Sequence, residues 1–209
     1  MRSVLCFGDS NTWGKIPGTD SRFPWPQRWT GILDGALSPA ARVVEEGLNG
    51  RTTMWDDPFM DYRNGRTALP MLLESHFPSD LLVLMLGTND LKLRFAKDPF
   101  VIAEGIGSLI RLNQSSPFKT PHVLIVSPPP ISETVHPWNS RTYAGAIETS
   151  RKLAGQYQVI ASASGCHFFD ASAVATADPI DGVHLDGRGH RALAEALLPI
   201  IRKILDLDA

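Results

Sequence analysis

The sequence predicts an α/β protein whose parallel sheet of five strands is wound in three layers, with helices on both faces. Short apolar segments alternate with stretches of helical character, and most of them end in turns rich in glycine and polar residues. Strands buried on both faces of a parallel sheet read as near-continuous apolar runs, and their alternation with helices favours a doubly wound sheet. The strands are expected at residues 3–7, 41–46, 80–86, 122–126 and 165–170.

Helices are predicted between these strands. The first begins near Pro24, since proline suits a first helical turn, and Asp98 followed by Pro99 marks the start of a longer one. Residues 54–66 and 128–140 show no clear period and are expected to be long irregular segments. The helices are expected at residues 24–37, 68–77, from 98 onward, 141–163 and 188–205. This order of elements indicates a doubly wound, flavodoxin-like fold.

Composition and charge favour one globular domain spanning residues 1–209. The chain is 43% hydrophobic and 20% charged, which suits a sizeable core. Its net charge of −2 gives no reason to expect nucleic acid or an anionic membrane as a partner, and no apolar run reaches the roughly 18 residues of a membrane span. Cys6 and Cys166 lie in apolar segments and are interpreted as small buried hydrophobes. Because no signal-peptide pattern is seen, we expect a cytoplasmic protein.

Four turns along the chain carry polar residues of chemical interest. Ser10, Gly50 and Asn89 follow the first three predicted strands, and Asp181 and His184 precede the last predicted helix. Ligands of open α/β sheets bind just beyond the carboxyl ends of the strands, so these turns are expected at one edge. An acyl-transfer enzyme needs a nucleophile, a base, a group that orients the base, and donors for the oxyanion. The turns contain one candidate for each role.

The residue types suggest how these roles are divided. Ser10 would attack the carbonyl carbon, and His184 would take its proton and later return it to the leaving group. Asp181, three residues before His184, would hold the imidazole in the required tautomer. The backbone N–H groups of Ser10 and Gly50 and the side-chain amide of Asn89 would meet the oxyanion, and glycine at position 50 allows a close approach of substrate.

Other interpretations of these residues remain open. A Gly-Asp-Ser turn at residues 8–10 is also a common helix cap, and Asp178 and Asp186 are rival partners for His184. His190 could pair with His184 on a metal, but no third ligand lies at a metal-site spacing. We therefore expect neither a metal nor another cofactor.

In its polar turns the chain resembles an SGNH hydrolase of the GDSL esterase/lipase superfamily. The resemblance implies Ser10 as nucleophile, Gly50 and Asn89 as oxyanion donors, and Asp181 with His184 completing a triad. The matching segments are FGDS at 7–10, GLNG at 47–50, GTND at 87–90 and DGVH at 181–184, in the family's order. The next residue of the first motif is often leucine in the family and is Asn11 here, a departure that concerns the pocket.

A closer likeness is to the bacterial arylesterase and acyltransferase subgroup, through residues 8–14, 45–53 and 87–92. It implies hydrolysis of short-chain esters, acyl transfer to alcohols or peroxide, and oligomeric assembly. The aromatic residues of the two long irregular segments also favour a homo-oligomer. Asn11 and Trp13, which follow the nucleophile, are expected to line the substrate pocket.

Two alternatives to a serine esterase acting on small esters are retained. The same machinery could deacetylate acetylated carbohydrates, since the shape of the pocket sets the choice of substrate. A non-catalytic binding module on the same fold is also conceivable, although the complete set of five catalytic-type residues argues against it.

Overall fold

The structure, a computed structural model, describes residues 1–95, 98–134 and 136–208. These residues form one sheet of five parallel strands in the order β2-β1-β3-β4-β5. The strands are β1 (Arg2–Gly8), β2 (Ala41–Gly47), β3 (Leu81–Met85), β4 (His122–Ser127) and β5 (His167–Asp170). The helices are α1 (Ser10–Trp13), α2 (Trp29–Leu37), α3 (Gly65–Ser75), α4 (Pro99–Ser115), α5 (Pro137–Thr142), α6 (Ala146–Arg151), α7 (Leu153–Ser164) and α8 (Gly187–Ile204). Short 3₁₀ turns occupy Trp25–Gln27, Asn89–Leu91 and Ala171–Ala173.

The strand order confirms the predicted flavodoxin-like, doubly wound sheet. The order reverses beside β1, which pairs with β2 on one side and with β3 on the other: Phe7 lies opposite Glu46 and opposite Leu84. In such sheets the crevice at the reversal point, outside the carboxyl ends of the strands, is where ligands bind. The turns after β1, β2 and β3 all lie there.

Helices cover both faces of the sheet and bury side chains that alternate along each strand. Leu5 and Phe7 of β1 pack in the core beneath α3, α4 and α7, whereas Val4 and Cys6 pack in the core beneath α2 and α8. Full burial of one such aliphatic or aromatic side chain contributes about 1.5–3 kcal/mol to folding. Burial, aided by the negative charge of Glu45, raises the pKa of the Cys6 thiol well above its usual value, so Cys6 behaves as a buried apolar group.

Two predicted helices differ from those in the structure. The helix expected at 141–163 is divided among the end of α5, α6 and α7. Gly145, which adopts a left-handed conformation (φ 77°), separates α5 from α6, and Lys152 lies between α6 and α7. The segment expected to be irregular at 128–140 consequently contains the start of α5; its residue Val135 lies outside the described residues.

The first predicted helix is also interrupted. Residues 25–27 form a 3₁₀ turn, Arg28 is extended (φ −78°, ψ 147°), and α2 begins only at Trp29. Pro26 cannot donate a backbone hydrogen bond, which limits helix formation before Arg28. The turn instead packs directly on α2 at Gly31, where a Cβ atom would lie 1.9 Å from the carbonyl oxygen of Trp25.

None of the helices in the described ranges is both long and apolar enough to cross a membrane.

The structure places His190 of α8 inside the protein. It is fully buried, its Nδ1 accepts a hydrogen bond from the backbone N–H of Trp29 (3.3 Å), and its ring packs edge-on against Phe23. Burial lowers the pKa of His190 from 6.5 to about 4. The histidine is therefore a neutral packing residue of the folded chain.

Stability is expected to depend on pH through this histidine. Between pH 6.5 and about 4 the unfolded chain binds more protons than the folded one, so the free energy of unfolding falls as the pH falls through that range. The difference in pKa corresponds to at most about 3 kcal/mol. Urea denaturation should show a correspondingly smaller loss between pH 7 and pH 4 in His190→Gln, whose amide can still accept from Trp29. Replacement of the exposed His122 serves as the control, and an unchanged loss in His190→Gln would contradict the assignment.

Candidate active site

The five predicted site residues meet in one cleft at the carboxyl edge of the sheet. Ser10 is the first residue of α1, directly after β1, while Gly50 follows β2 and Asn89 follows β3. Asp181 and His184 reach the same place from the loop that precedes α8. All five line a cleft of about 390 Å³.

Three of these side chains form a continuous hydrogen-bonded line. Ser10 Oγ lies 2.9 Å from Nε2 of His184, and Nδ1 of the same ring lies 2.7 Å from Oδ2 of Asp181. The ionised carboxylate can only accept, so Nδ1 carries the proton and Nε2 is left to accept from the serine hydroxyl. All three side chains are buried, which limits competition from water. The arrangement can move a proton from Ser10 to the imidazole.

Four donors hold the carboxylate of Asp181. Its Oδ1 accepts from the backbone N–H groups of Val183 and His184, both at 2.9 Å, while Oδ2 accepts from the His184 ring and from the backbone N–H of Gly18 at 2.9 Å. Burial alone would raise the pKa of Asp181, but the His184 ring and the backbone N–H groups of His184 and Val183 outweigh it and hold the pKa well below the usual range. The carboxylate therefore stays ionised opposite the imidazole.

The rival acids make other contacts. Asp178 accepts from the backbone N–H of Ile180, and Asp186 caps α8 by accepting from the backbone N–H of Gly189 at 2.7 Å. Neither carboxylate hydrogen-bonds to His184 in the described part of the chain. Asp181 alone of these three acids contacts the imidazole.

The predicted oxyanion donors also converge. No described residue accepts a hydrogen bond from the backbone N–H of Ser10 or of Gly50, and Gly50 has a φ of 82°, which favours glycine. The Asn89 Nδ2 atom donates to the carbonyl oxygen of Arg51 (3.0 Å) and, over 3.3 Å, to Oδ2 of Asp9. The longer of these two bonds is the one that a bound oxyanion would most easily replace.

Two buried carboxyl groups brace the turns beneath the cleft. Asp9 accepts from the backbone N–H of Asn11 (2.9 Å) and from Asn89, and burial raises its pKa. Asp90 accepts from the backbone N–H and hydroxyl of Thr53, and burial raises its pKa to about 6. These contacts tie the first, second and third polar turns together.

The predicted pocket residues Asn11 and Trp13 do not line this cleft. Asn11 is buried beneath it: its Nδ2 donates to the carbonyl oxygen of Val183 (3.3 Å), and its Oδ1 accepts from the backbone N–H of Leu185 (2.9 Å). Trp13 lies beside the Arg22 guanidinium, 4.7 Å from the ring centroid. Successive side chains in a helical turn lie about 100° apart, which directs Asn11 away from Ser10. Trp13, three residues after Ser10, packs beside Arg22 and is not part of the cleft lining.

Several cleft residues were not identified from the sequence. Lys15 and Gly18 come from the loop after α1, and Trp138 and Tyr143 come from the region of α5. Lys92 directly follows the Asn89–Leu91 turn and lies within the segment that carries the arylesterase likeness, which was the only sequence signal for it. Among the described residues, no three His, Cys, Asp or Glu side chains are grouped so as to hold a metal ion.

A flavodoxin-like sheet with these polar turns at one edge defines the class of SGNH hydrolase folds. The chain belongs to the GDSL-like lipase/acylhydrolase family, whose model matches residues 6–192. The resemblance predicted from the sequence is thereby confirmed.

Relatives of several kinds share this fold. A GDSL lipase of Mycobacterium tuberculosis is 26% identical over 208 residues, which cover 96% of this chain and 82% of that protein. A carbohydrate acetylesterase family member from Sinorhizobium meliloti has a TM-score of 0.95 and 42% identity, covering 99% of this chain and 100% of that one. The aryl esterase of M. smegmatis has a TM-score of 0.94 and 39% identity, and the match covers 98% of this chain and 100% of that one.

Proposed function

We propose that this protein is a serine esterase that hydrolyses short-chain carboxylic esters through an acyl-enzyme on Ser10. The observation that carries the proposal is the line of hydrogen bonds from Ser10 through His184 to Asp181. At the Ser10 side of this line, the backbone N–H groups of Ser10 and Gly50 have no acceptor among the described residues. Nucleophile, base, orienting acid and oxyanion donors are the parts that acyl transfer requires.

In the first half-reaction, Ser10 Oγ attacks the ester carbonyl carbon while His184 Nε2 takes the hydroxyl proton. The carbonyl oxygen becomes an oxyanion that accepts from the backbone N–H groups of Ser10 and Gly50 and from Asn89 Nδ2. Asp181 stabilises the imidazolium across the 2.7 Å contact. The carbon–oxygen bond to the alcohol then breaks, the alcohol leaves with the proton from His184, and the acyl group stays on Ser10.

In the second half-reaction, a water molecule attacks the acyl carbon and gives its proton to His184. The bond to Ser10 Oγ breaks and the serine recovers the proton, which releases a carboxylic acid. An alcohol or peroxide that enters the cleft in place of water attacks the acyl carbon and gives its proton to His184 by the same route, so acyl transfer to these nucleophiles competes with hydrolysis.

Short acyl chains are expected to be preferred, because the cleft of about 390 Å³ must hold the alcohol portion as well. Each buried methylene stabilises binding by about 0.8 kcal/mol only where there is room for it. We expect kcat/KM for p-nitrophenyl esters to be greatest between acetate and butyrate. A maximum at octanoate or longer would contradict the proposal.

Deacetylation of acetylated carbohydrate is the alternative, and the polar lining of the cleft favours it. Thr19, Asn139 and Thr142 bring hydroxyl and amide groups that could hydrogen-bond to a sugar, and one of the similar structures is a carbohydrate acetylesterase family member. Rates on acetylated xylosides should be compared with rates on phenyl acetate in the same preparation. A kcat/KM greater for the sugar esters would favour this alternative.

A homo-oligomeric assembly is also proposed. Phe59, Tyr62 and Trp138 are largely exposed and come from the two predicted irregular segments, although Ile131 of the second segment is buried. Aromatic side chains are enriched where protein surfaces meet. Sedimentation velocity at micromolar concentration should show a species heavier than the 22.9 kDa chain; a lone species of that mass would contradict the assembly.

We further propose that residues 1–209 are a single domain and that the protein is cytoplasmic. One sheet with continuous cores on both faces supports the first statement. Both cysteines are free thiols, which is usual in a reducing compartment. Limited proteolysis and cell fractionation test the two statements.

A further inference from the structure

Lys92 is a buried lysine of the cleft. It follows the Asn89–Leu91 turn, is only 7% exposed, and lines the same cleft as Ser10 and His184. Within the described part of the chain, its ammonium group has neither a hydrogen-bond acceptor nor a carboxylate within ion-pair distance. An ammonium that is largely removed from water and has no acceptor is costly, since burying a charge is tolerated mainly when it is paired.

The other charged groups of the cleft are engaged. Lys15 pairs with Asp20 at 3.1 Å, and the Asp181 carboxylate faces the His184 ring. The His136 Nδ1 atom accepts from the backbone N–H of Asn139 over 3.4 Å and caps α5. Lys92 thus differs from the other basic side chains that line this cleft.

The charges that face Lys92 have partners of their own. Asp57 forms an ion pair with Arg94, while the buried Asp9 and Asp90 accept hydrogen bonds from the neighbouring turns. Burial, together with Arg94, lowers the pKa of Lys92 to about 8, although the three aspartates act in the opposite direction. At pH 7 most molecules therefore carry an unpaired ammonium at the wall of the cleft.

We propose that Lys92 is a specificity-determining residue that binds a carboxylate of the substrate, so that the enzyme prefers esters carrying a carboxylate over neutral esters of the same size. This inference rests on the proposed esterase function and narrows its substrate class. A carboxylate oxygen supplies the acceptor that the ammonium lacks, and charge-assisted hydrogen bonds in a partly desolvated cleft are the stronger kind. A neutral ester leaves Lys92 without that partner.

The kinetic test uses two pairs of esters, because the carboxylate can lie on either side of the ester bond. One pair is 4-carboxyphenyl acetate and 4-carbamoylphenyl acetate; the other is the p-nitrophenyl monoesters of glutaric acid and of glutaric acid monoamide. In at least one pair the acid should have the greater kcat/KM, and Lys92→Met should lower the acid-to-amide ratio about tenfold or more. Lys15→Met, which removes a paired lysine from the same cleft, should leave the ratio unchanged.

Two outcomes of these kinetics would overturn the proposal. The first is a wild-type enzyme that turns over both members of each pair without favouring the acid. The second is a Lys92→Met enzyme in which both members lose activity equally, since Lys92 would then support the oxyanion site through the Asn89 turn rather than bind substrate. Failure to turn over any ester would instead contradict the proposed esterase function.

The pH dependence gives an independent readout. The preference for the acid should decline between pH 7 and pH 9.5 as the ammonium loses its proton near pH 8, whereas Lys92→Arg should keep the preference because guanidinium stays charged.

Calorimetry measures the binding of 4-carboxyphenyl acetate to the Ser10→Ala variant without any turnover. Adding Lys92→Met to that variant should weaken binding about tenfold, and equal affinities would contradict a carboxylate site even if the chain were no esterase.

Discussion

Replacing Ser10 with alanine is expected to lower kcat on aryl acetates by about four to six orders of magnitude, the range seen when a serine nucleophile is removed. The substitution deletes the hydroxyl that lies 2.9 Å from His184 Nε2 and leaves the backbone N–H of residue 10 in place. The removed atom is small and packs at the floor of a cleft, so the fold should persist. Steady-state kinetics with circular dichroism on the same samples measure both effects.

A substitution in the same helical turn provides the control. Thr12→Ser also alters a hydroxyl-bearing, buried side chain of α1, and its kcat should stay within about tenfold of wild type. Near-normal turnover in Ser10→Ala would contradict the mechanism. A fluorophosphonate probe separates the esterase from a non-catalytic binding module, because only an activated Ser10 becomes labelled.

Replacing Asn89 with alanine is expected to lower kcat about 100- to 1000-fold with little change in KM, as for the loss of one oxyanion donor. The Asn89 Nδ2 atom lies in the cleft with Ser10 and Gly50, and its 3.0 Å bond to the carbonyl oxygen of Arg51 holds the amide there. The donor gains strength only when charge develops on the carbonyl oxygen, so the loss falls on the chemical step. Determining kcat and KM separately for phenyl acetate tests whether the loss falls on kcat.

The matched control for this substitution is Tyr143→Phe. The Tyr143 hydroxyl donates to Asn89 Oδ1 over 3.4 Å, a long contact whose removal leaves the amide donors intact. Its kcat should fall much less than that of Asn89→Ala. A loss in Asn89→Ala that is confined to KM would instead assign this residue to ground-state binding.

The positions of the strands were predictable because a buried parallel strand needs a near-continuous apolar run and ends where polar turn residues begin. That rule located the turns containing Ser10 and Asn89, and the parallel direction of the strands implied that they share an edge. The break at Gly145 was harder to anticipate, because glycine occurs both within helices and at their ends. Only its left-handed conformation in the folded chain distinguishes the two cases.

The directions in which side chains point were less predictable than the positions of the strands and turns along the sequence. Asn11 and Trp13 are near Ser10 along the chain, yet neither lines the cleft: Asn11 is buried beneath it and Trp13 packs beside Arg22. Gly18 donates to Asp181 across a separation of 163 residues, and no local pattern marks it. Such contacts depend on how loops pack against each other, which periodicity and turn chemistry do not specify.

The side chain of Asn11 joins the two ends of the chain, since its partners Val183 and Leu185 are 172 and 174 residues away. Contacts between such distant residues close a long loop and tend to form late in folding. A nascent or partly folded chain that has built only its first strands therefore carries an ordinary serine hydroxyl without a base. In the proposed mechanism Ser10 becomes reactive only once the loop that carries Asp181 and His184 has docked, and so the appearance of nucleophilic character would report the completion of folding.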